Sequence, residues 1–274
     1  MAEAGRAVFP YANGAAALPD TATRELAAAF QALETTTLAA RLASAVGTPV
    51  EMLAARLPEP IRNKVNSAVR TALSGAMTVA LRSDPARSLP LVSSDWFHRG
   101  MAAGTGFVGG ALGLPGTLAE LPVTTSILLR QITAIAAEEG EDLAAPQASA
   151  ECLKVFALGG RSPADDAAES GYFAVRIALT EALKGAVGRS LLPGFIGQIA
   201  ARFGFPVTLK ISAQALPLIG AATGAAINLA FLEHFRGIAR GHFTVRRLER
   251  SHGQQAVRIA WDGLRATRDE RFIG

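Results

Sequence analysis

The sequence predicts an all-α protein, a single multi-helix bundle with two central glycine-rich apolar helices. Three observations predict it. Apolar residues recur three and four apart through most of the chain, the period of an amphipathic helix. Aromatic residues are only 6% of the total and alanine is abundant, as in closely packed helices. No segment shows the alternation of a half-buried strand, and no repeat of fixed period is present. Half of the 274 residues are hydrophobic, enough for a large core. Only 18% are charged, so much apolar surface must be buried or face lipid. Residues 1–19 carry Glu3, glycine and proline without an apolar run, and are expected to be a flexible cytoplasmic-type lead-in. Residues 20–274 form the single helical domain.

Taken in order, Asp20 is expected to cap a first helix whose stripe includes Leu26, Phe30, Leu33 and Leu38 and which ends at Gly47-Thr48-Pro49. After Pro58 and Pro60, Val65, Val69, Leu73 and Met77 fall four apart and predict a helix from Ile61 to Leu81. Ser83 to Leu91 holds two prolines and reads as a loop, and Ser94 is a fair N-cap for the next helix. That helix leads into Met101 to Ala119, an uncharged stretch in which Gly100/Gly104, Gly106/Gly110 and Gly109/Gly113 fall four apart. Each glycine costs a helix roughly 1 kcal/mol against alanine, so their density predicts close approach by a backbone, a lipid or a ligand. A helix from Val123 to Glu139 should end at Gly140. Helices are then expected from Pro146 to Leu158 and from about Ala167 to Gly188, with short broken pieces around Pro193, Gly194, Gly204 and Pro206. The second apolar segment runs from Ile211 to Leu232 and contains Gly220/Gly224 and Pro217; arginine-rich helices from Glu233 to Phe272 close the chain.

By length, Ile211 to Leu232 reaches the roughly 20 residues of a membrane span. It also holds Ser212, Gln214, Thr223, Asn228 and a central proline, so a hairpin buried in a helical core is the preferred reading. Partial or reversible insertion stands second and a permanent span third. The glycines Gly104, Gly106, Gly110, Gly113, Gly220 and Gly224 are the candidate lipid or membrane contacts. Arg236 and Arg240 join them, heading a cluster with Arg246, Arg247 and Arg250 that suits anionic head groups, although Glu233, Glu249 and Asp262 interleave with it.

Three constellations could carry chemistry. Glu120, Thr124 and Gln131 fall on one helix face, with Arg130 beside them, and Glu120 is the only acid between Asp95 and Glu138. Glu138, Glu139, Glu141 and Asp142 crowd a helix C-terminus, where the macrodipole disfavours them and arginines or a cation should compensate. His242, Arg246 and Glu249 share a helix face, and His234 lies nearby, but no recognised zinc spacing exists and no metal is assigned. Cys152 reads as a small buried hydrophobe. The glycine-rich stretch lacks the Lys-Ser/Thr of a phosphate loop, and no nucleophile elbow appears. The net charge of +4 does not suit a nucleic-acid binder.

Together these segments resemble the EcsC protein family. The resemblance rests on the glycine-rich Gly104-to-Gly116 stretch running into Leu-Pro-Gly-Thr-Leu-Ala-Glu-Leu-Pro-Val-Thr-Thr. It continues through Leu129-Arg130-Gln131-Ile132, Gly140-Glu141-Asp142 and Glu151-Cys152-Leu153-Lys154-Val155-Phe156. Leu218-Ile219-Gly220-Ala221, Ala226-Ile227-Asn228, Gly241-His242-Phe243 and Arg247-Leu248-Glu249 complete it, over roughly residues 95 to 260. The resemblance implies a bacterial, largely helical protein of a family named for a gene neighbour of an ABC transporter. Some relatives carry peptidase labels, which no motif here supports. It points to Glu120, Thr124, Arg130, Asp142, Asn228, His242 and Glu249 as residues to test.

The expected function is a non-enzymatic membrane-associated or lipid-binding helical protein that assists an envelope or transport process. It would be cytoplasmic or peripheral on the inner face of the cell membrane, with a transport system as a partner. The alternatives are a hydrolase, metal-dependent or peptidase-like, with Glu120, Asp142, His242 and Glu249 meeting in one pocket, and a protein-binding adaptor. The sequence assigns no cofactor and does not decide whether the protein is an enzyme.

Overall fold

The computed structural model describes residues 18–35, 37–47, 50–82, 116, 120–160, 171–184, 192–214 and 221–273. These residues are helical almost throughout and contain no strand, so the all-α expectation holds. The glycine-rich stretch with Gly104, Gly106, Gly110 and Gly113 lies outside them, as do Gly220, the Ser94 cap and residues 1–17.

Helix α1 (Asp20–Phe30) begins one residue earlier than a cap at Asp20 would allow: Pro19 precedes it with extended backbone, and Asp20 is its first helical residue. The stripe Leu26, Phe30, Leu33, Leu38 is broken by a five-residue gap between its last members. The structure absorbs that gap in a π-turn over Gln31–Thr35, after which Thr37 caps α2 (Leu38–Val46) by accepting from Ala40 N–H at 3.3 Å. A π-turn holds one extra residue, so it rotates the chain beyond it and turns Glu34 inward. α3 (Val50–Ala55) and α4 (Glu59–Arg82) come next. A helix over 120–138, α5, is closed by Gly140 at φ 76°, the left-handed conformation expected of a C-cap. α6 (Pro146–Leu158) starts with proline in its first turn, and α7 (Tyr172–Lys184) begins at Tyr172, later than the expected start near Ala167, while residues 185–188 of the expected helix lie outside the described ones.

The largest departure lies in the next helix. Pro193, Gly194, Gly204 and Pro206 do not break the chain into pieces; Leu192–Gln214 is one helix, α8, with Pro206 inside it. Proline at 206 cannot donate to the carbonyl of Arg202. Tertiary packing meets that carbonyl: Gly160 sits so close to it that a Cβ there would collide with it. The Arg202 side chain, in turn, donates from Nε to the Ala157 carbonyl at 3.3 Å. Of the Ile211–Leu232 stretch, residues 215–220 lie outside the described ones. Its first residues end α8, and its last open α9 (Ala221–His252). α10 (Gln254–Ile273) begins directly after Gly253.

α9 is the axis of the bundle. It packs against α1, the π-turn, α2, α6, α8 and α10, while α8 packs against α2, α3, α4, α6 and α7. Two aromatic groups fix these contacts. Phe156 of α6, Phe203 of α8, and Phe231 and Phe235 of α9 stack with ring centroids 4.9–6.1 Å apart. Trp261 of α10, fully buried, packs against Phe30, Tyr172 and Phe173 at 5.0–5.3 Å. Aromatic pairs in such tilted arrangements each add about 0.5–1.5 kcal/mol beyond area burial. No helix among the described residues is long and apolar enough to cross a membrane.

Candidate functional site

The polar residues inside the bundle form two centres. In the first, Lys210 of α8, wholly buried, donates from Nζ to Glu120 Oε1 at the start of α5. Lys210 also lies 5.5 Å from the Phe231 ring centre, a cation–π contact. Thr124, one turn after Glu120, is buried with it, and among the described residues neither Glu120 Oε2 nor Thr124 Oγ1 has a hydrogen-bond partner. Asn228 is also buried, one turn before Phe231. Burial pulls the Lys210 amine below its usual value, against the attraction of Glu120.

The second centre is a continuous network. His242 of α9 is the hub: its Nε2 lies 3.1 Å from Glu151 Oε2 and its Nδ1 2.8 Å from Tyr172 Oη. A carboxylate only accepts, so Nε2 carries the proton and Nδ1 accepts from the tyrosine hydroxyl. Burial holds the His242 pKa below the ordinary histidine value, against the opposing pull of Glu151, and burial pushes the Tyr172 phenol up. Both therefore stay in the protonation states this chain of bonds needs. Burial also works to raise Glu151. The His242 bond and then the Lys154 and Arg246 charges outweigh it and hold the carboxyl far below the usual range. Lys154 completes the floor, donating to Glu151 Oε1 at 2.8 Å and to Thr180 Oγ1 of α7 at 2.9 Å.

Above this floor stand arginines. Arg246 Nη1 lies 3.4 Å from Glu151, while its Nε and Nη2 form a fork on Glu141 at 2.8 and 2.9 Å. Arg250 donates to Glu141 and, at 2.7 Å, to the Glu139 carbonyl. Arg176 of α7 forms a second fork on Glu249 at 2.8 and 2.7 Å. Burial works to raise the Glu141 carboxyl, and Arg246 and Arg250 reverse this and hold it low. Arg176, Arg246, Glu249, Arg250 and Gln254 line a cleft of about 260 Å³ open to solvent.

The expected residues thus fall apart into groups. Glu120 and Thr124 belong to the first centre, His242 and Glu249 to the second. His242 lies eleven residues along α9 from Phe231, which touches Lys210, so the two centres stand roughly 16 Å apart along that axis. The hydrolase centre of Glu120, Asp142, His242 and Glu249 is therefore not assembled. Asp142 is exposed, with one oxygen accepting from Ala144 N–H at 3.0 Å, and Arg130 is exposed on the outer face of α5.

His234 does not join His242; its Nε2 donates to the Gly159 carbonyl at 2.9 Å, and burial lowers its pKa to about 4. Among the described residues no three metal-ligating side chains cluster. Cys152 is buried, its thiol pushed up to about 12 by burial and by the Glu141 and Glu151 charges. The acidic turn after α5 is compensated by arginine: Arg240, Arg246, Arg247 and Arg250 of α9 take up Glu138, Glu139 and Glu141.

Sequence reasoning missed Glu151, Lys154, Tyr172, Arg176 and Lys210 as site residues. A lysine in the apolar run around Lys210 was the available signal, because a buried amine requires a buried acid.

The fold and these centres define an all-α bundle threaded by one long helix that carries ionisable residues through the core. The EcsC protein family model matches residues 20–248, and the chain belongs to the EcsC protein family. No curated protein and no solved structure matches it.

Proposed function

We propose that this chain is a non-enzymatic helical protein that docks on an anionic membrane surface and there assists an envelope or transport process. The arginine-lined cleft carries this reading. Its guanidinium groups are held by carboxylates rather than waving in solvent, so little side-chain order is lost when an anion arrives. Each fork on a carboxylate occupies only two of the five N–H groups of a guanidinium, which leaves donors for a ligand. Basic groups near an anionic bilayer contribute about 1 kcal/mol each.

The buried triad behind the cleft favours a binding role over a catalytic one. Every polar atom of His242, and both oxygens of Glu151, are taken by fixed protein partners. A general base must have a free position facing its substrate; here the imidazole has none. The network serves to fix Arg246 in place.

Co-flotation with vesicles tests the reading. The protein should rise with vesicles containing phosphatidylglycerol at low salt, stay behind with purely neutral vesicles, and detach as salt screens the arginines. Failure to float with anionic vesicles at low salt overturns it.

A further inference from the structure

We infer that the cleft between α7, α9 and the start of α10 is a subsite for one phosphate diester group, that of a membrane lipid headgroup, with the acyl chains left outside. This rests on the membrane reading for the source of the ligand, but the site itself is argued from its own geometry and charge.

Size comes first. A cleft of about 260 Å³ falls below the roughly 300–1,000 Å³ of pockets that enclose a whole small molecule. Among the described residues its walls are Arg176, Arg246, Glu249, Arg250 and Gln254, all with polar or charged ends and none with a wholly apolar side chain. A headgroup fits that description and a lipid tail does not. The donors also come from different directions: Arg176 from α7, Arg246 and Arg250 from successive turns of α9. A tetrahedral anion accepts from such spread donors more completely than a planar carboxylate does. Gln254 adds an amide at the first turn of α10, where backbone N–H groups lack intrahelical acceptors.

Charge selects the kind of phosphate. Around the cleft and its floor stand Lys154, Arg176, Arg246 and Arg250 against Glu141, Glu151 and Glu249. Among the described residues four cations face three carboxylates, leaving one positive charge in excess. The excess sits at Arg250, which shares Glu141 with Arg246 and is the most exposed of the four. A phosphate diester carries one negative charge and balances it. A monoester carries about 1.5 to 2 at neutral pH and places surplus negative charge beside Glu249 and Glu141. The site therefore prefers the diester.

The test uses the full chain with two soluble probes free of acyl chains, glycerophosphoglycerol (a diester) and glycerol 3-phosphate (a monoester), titrated by calorimetry or ³¹P line broadening. The wild type should bind the diester more tightly. Arg250→Gln, which removes the excess charge at a half-exposed position, should weaken diester binding about tenfold or more, the loss of one charge-assisted hydrogen bond. Glu249→Gln adds a second excess charge and should shift preference toward the monoester. Circular dichroism of each variant confirms that it is folded. Absence of diester binding, or preference of the wild type for the monoester, overturns the inference.

Flotation of the same variants on phosphatidylglycerol vesicles separates the two proposals. Diester binding without flotation keeps the cleft and discards the membrane as its source. Flotation that is unchanged in Arg250→Gln, with no binding of the soluble diester, keeps the membrane reading and discards the cleft.

Discussion

The two buried polar centres of this bundle contain similar residues and are built on opposite plans. At the first, Glu120 and Lys210 form the one ion pair among the described residues there, between α5 and α8, with a carboxylate oxygen and the Thr124 hydroxyl left without partners among those residues. At the second, Glu151 is served by His242, Lys154 and Arg246 together, and the bonds run on through Glu141 to arginines at the surface. A solitary buried pair must offset the desolvation of two ions with one contact, and continuum arguments put that near break-even. A network spreads the same penalty over several charge-assisted bonds and rigidifies what it touches. The first centre therefore joins two helices, whereas the second holds a surface in a defined shape.

Breaking the solitary pair should produce the largest effect. Lys210→Met leaves Glu120 buried without its cation and should cost about 3–5 kcal/mol in urea unfolding. Replacing both, with Glu120→Gln and Lys210→Met together, should recover most of that loss, since neither remaining group is charged. Were the double variant as unstable as the single one, the pair would be contributing far more than a near-balanced contact.

Acid sharpens the contrast between the two buried histidines of α9, His234 and His242. His234 has a folded pKa of about 4, against roughly 6.5 in the unfolded chain, because burial disfavours its charged form. The unfolded state thus binds the extra proton first. Stability is full above about pH 6.5 and declines as the pH falls toward 4, by about 3 kcal/mol in total. His234→Gln keeps a donor for the Gly159 carbonyl and should flatten that part of the profile, leaving the contribution of His242. An unchanged slope would mean that His242, with its own lowered pKa, carries the acid sensitivity.

Tyr172→Phe sets the next level. It removes the hydroxyl that donates to His242 Nδ1 and leaves a buried acceptor bare, at a cost of about 1–3 kcal/mol by denaturant unfolding. The variant should also weaken diester binding only slightly, because Arg246 is still held by Glu141 and Glu151. A large loss of binding with small loss of stability would place the tyrosine closer to the ligand than the geometry does.

The range of each interaction decides how much of the molecule was legible in its sequence. Helix periodicity, the Gly140 cap and the Pro146 start are local, and each appears where the residues put it. Pro206 misled because its helix is met there by tertiary contact: the backbone at Gly160 and the side chain of Arg202 lie forty or more residues apart in the chain. Membership in the EcsC family was readable from scattered motifs. The site was readable in halves. His242, Arg246 and Glu249 share a face by spacing alone, and the acidic turn called for arginines or a cation to compensate it. That Tyr172 and Glu151 close on His242 depends on how α6 and α7 lie against α9, which no periodicity encodes.

The smallest predicted effect concerns the second arginine of the surface cluster. Arg240 lies 3.4 Å from Glu138, with both side chains more than half exposed. An ion pair of that kind contributes about 0.5 kcal/mol or less, since water and salt screen it and two long side chains must be ordered to form it. Arg240→Ala should therefore leave the unfolding midpoint almost unchanged. It should also leave binding of the soluble diester unchanged, because Arg240 is not a wall of the cleft. Vesicle flotation is the sensitive readout: loss of one exposed charge should weaken it slightly and only at low salt, whereas Arg250→Gln should weaken it strongly. Equal losses for the two variants would mean that the membrane reads diffuse charge along α9 and that the cleft has no special part in docking.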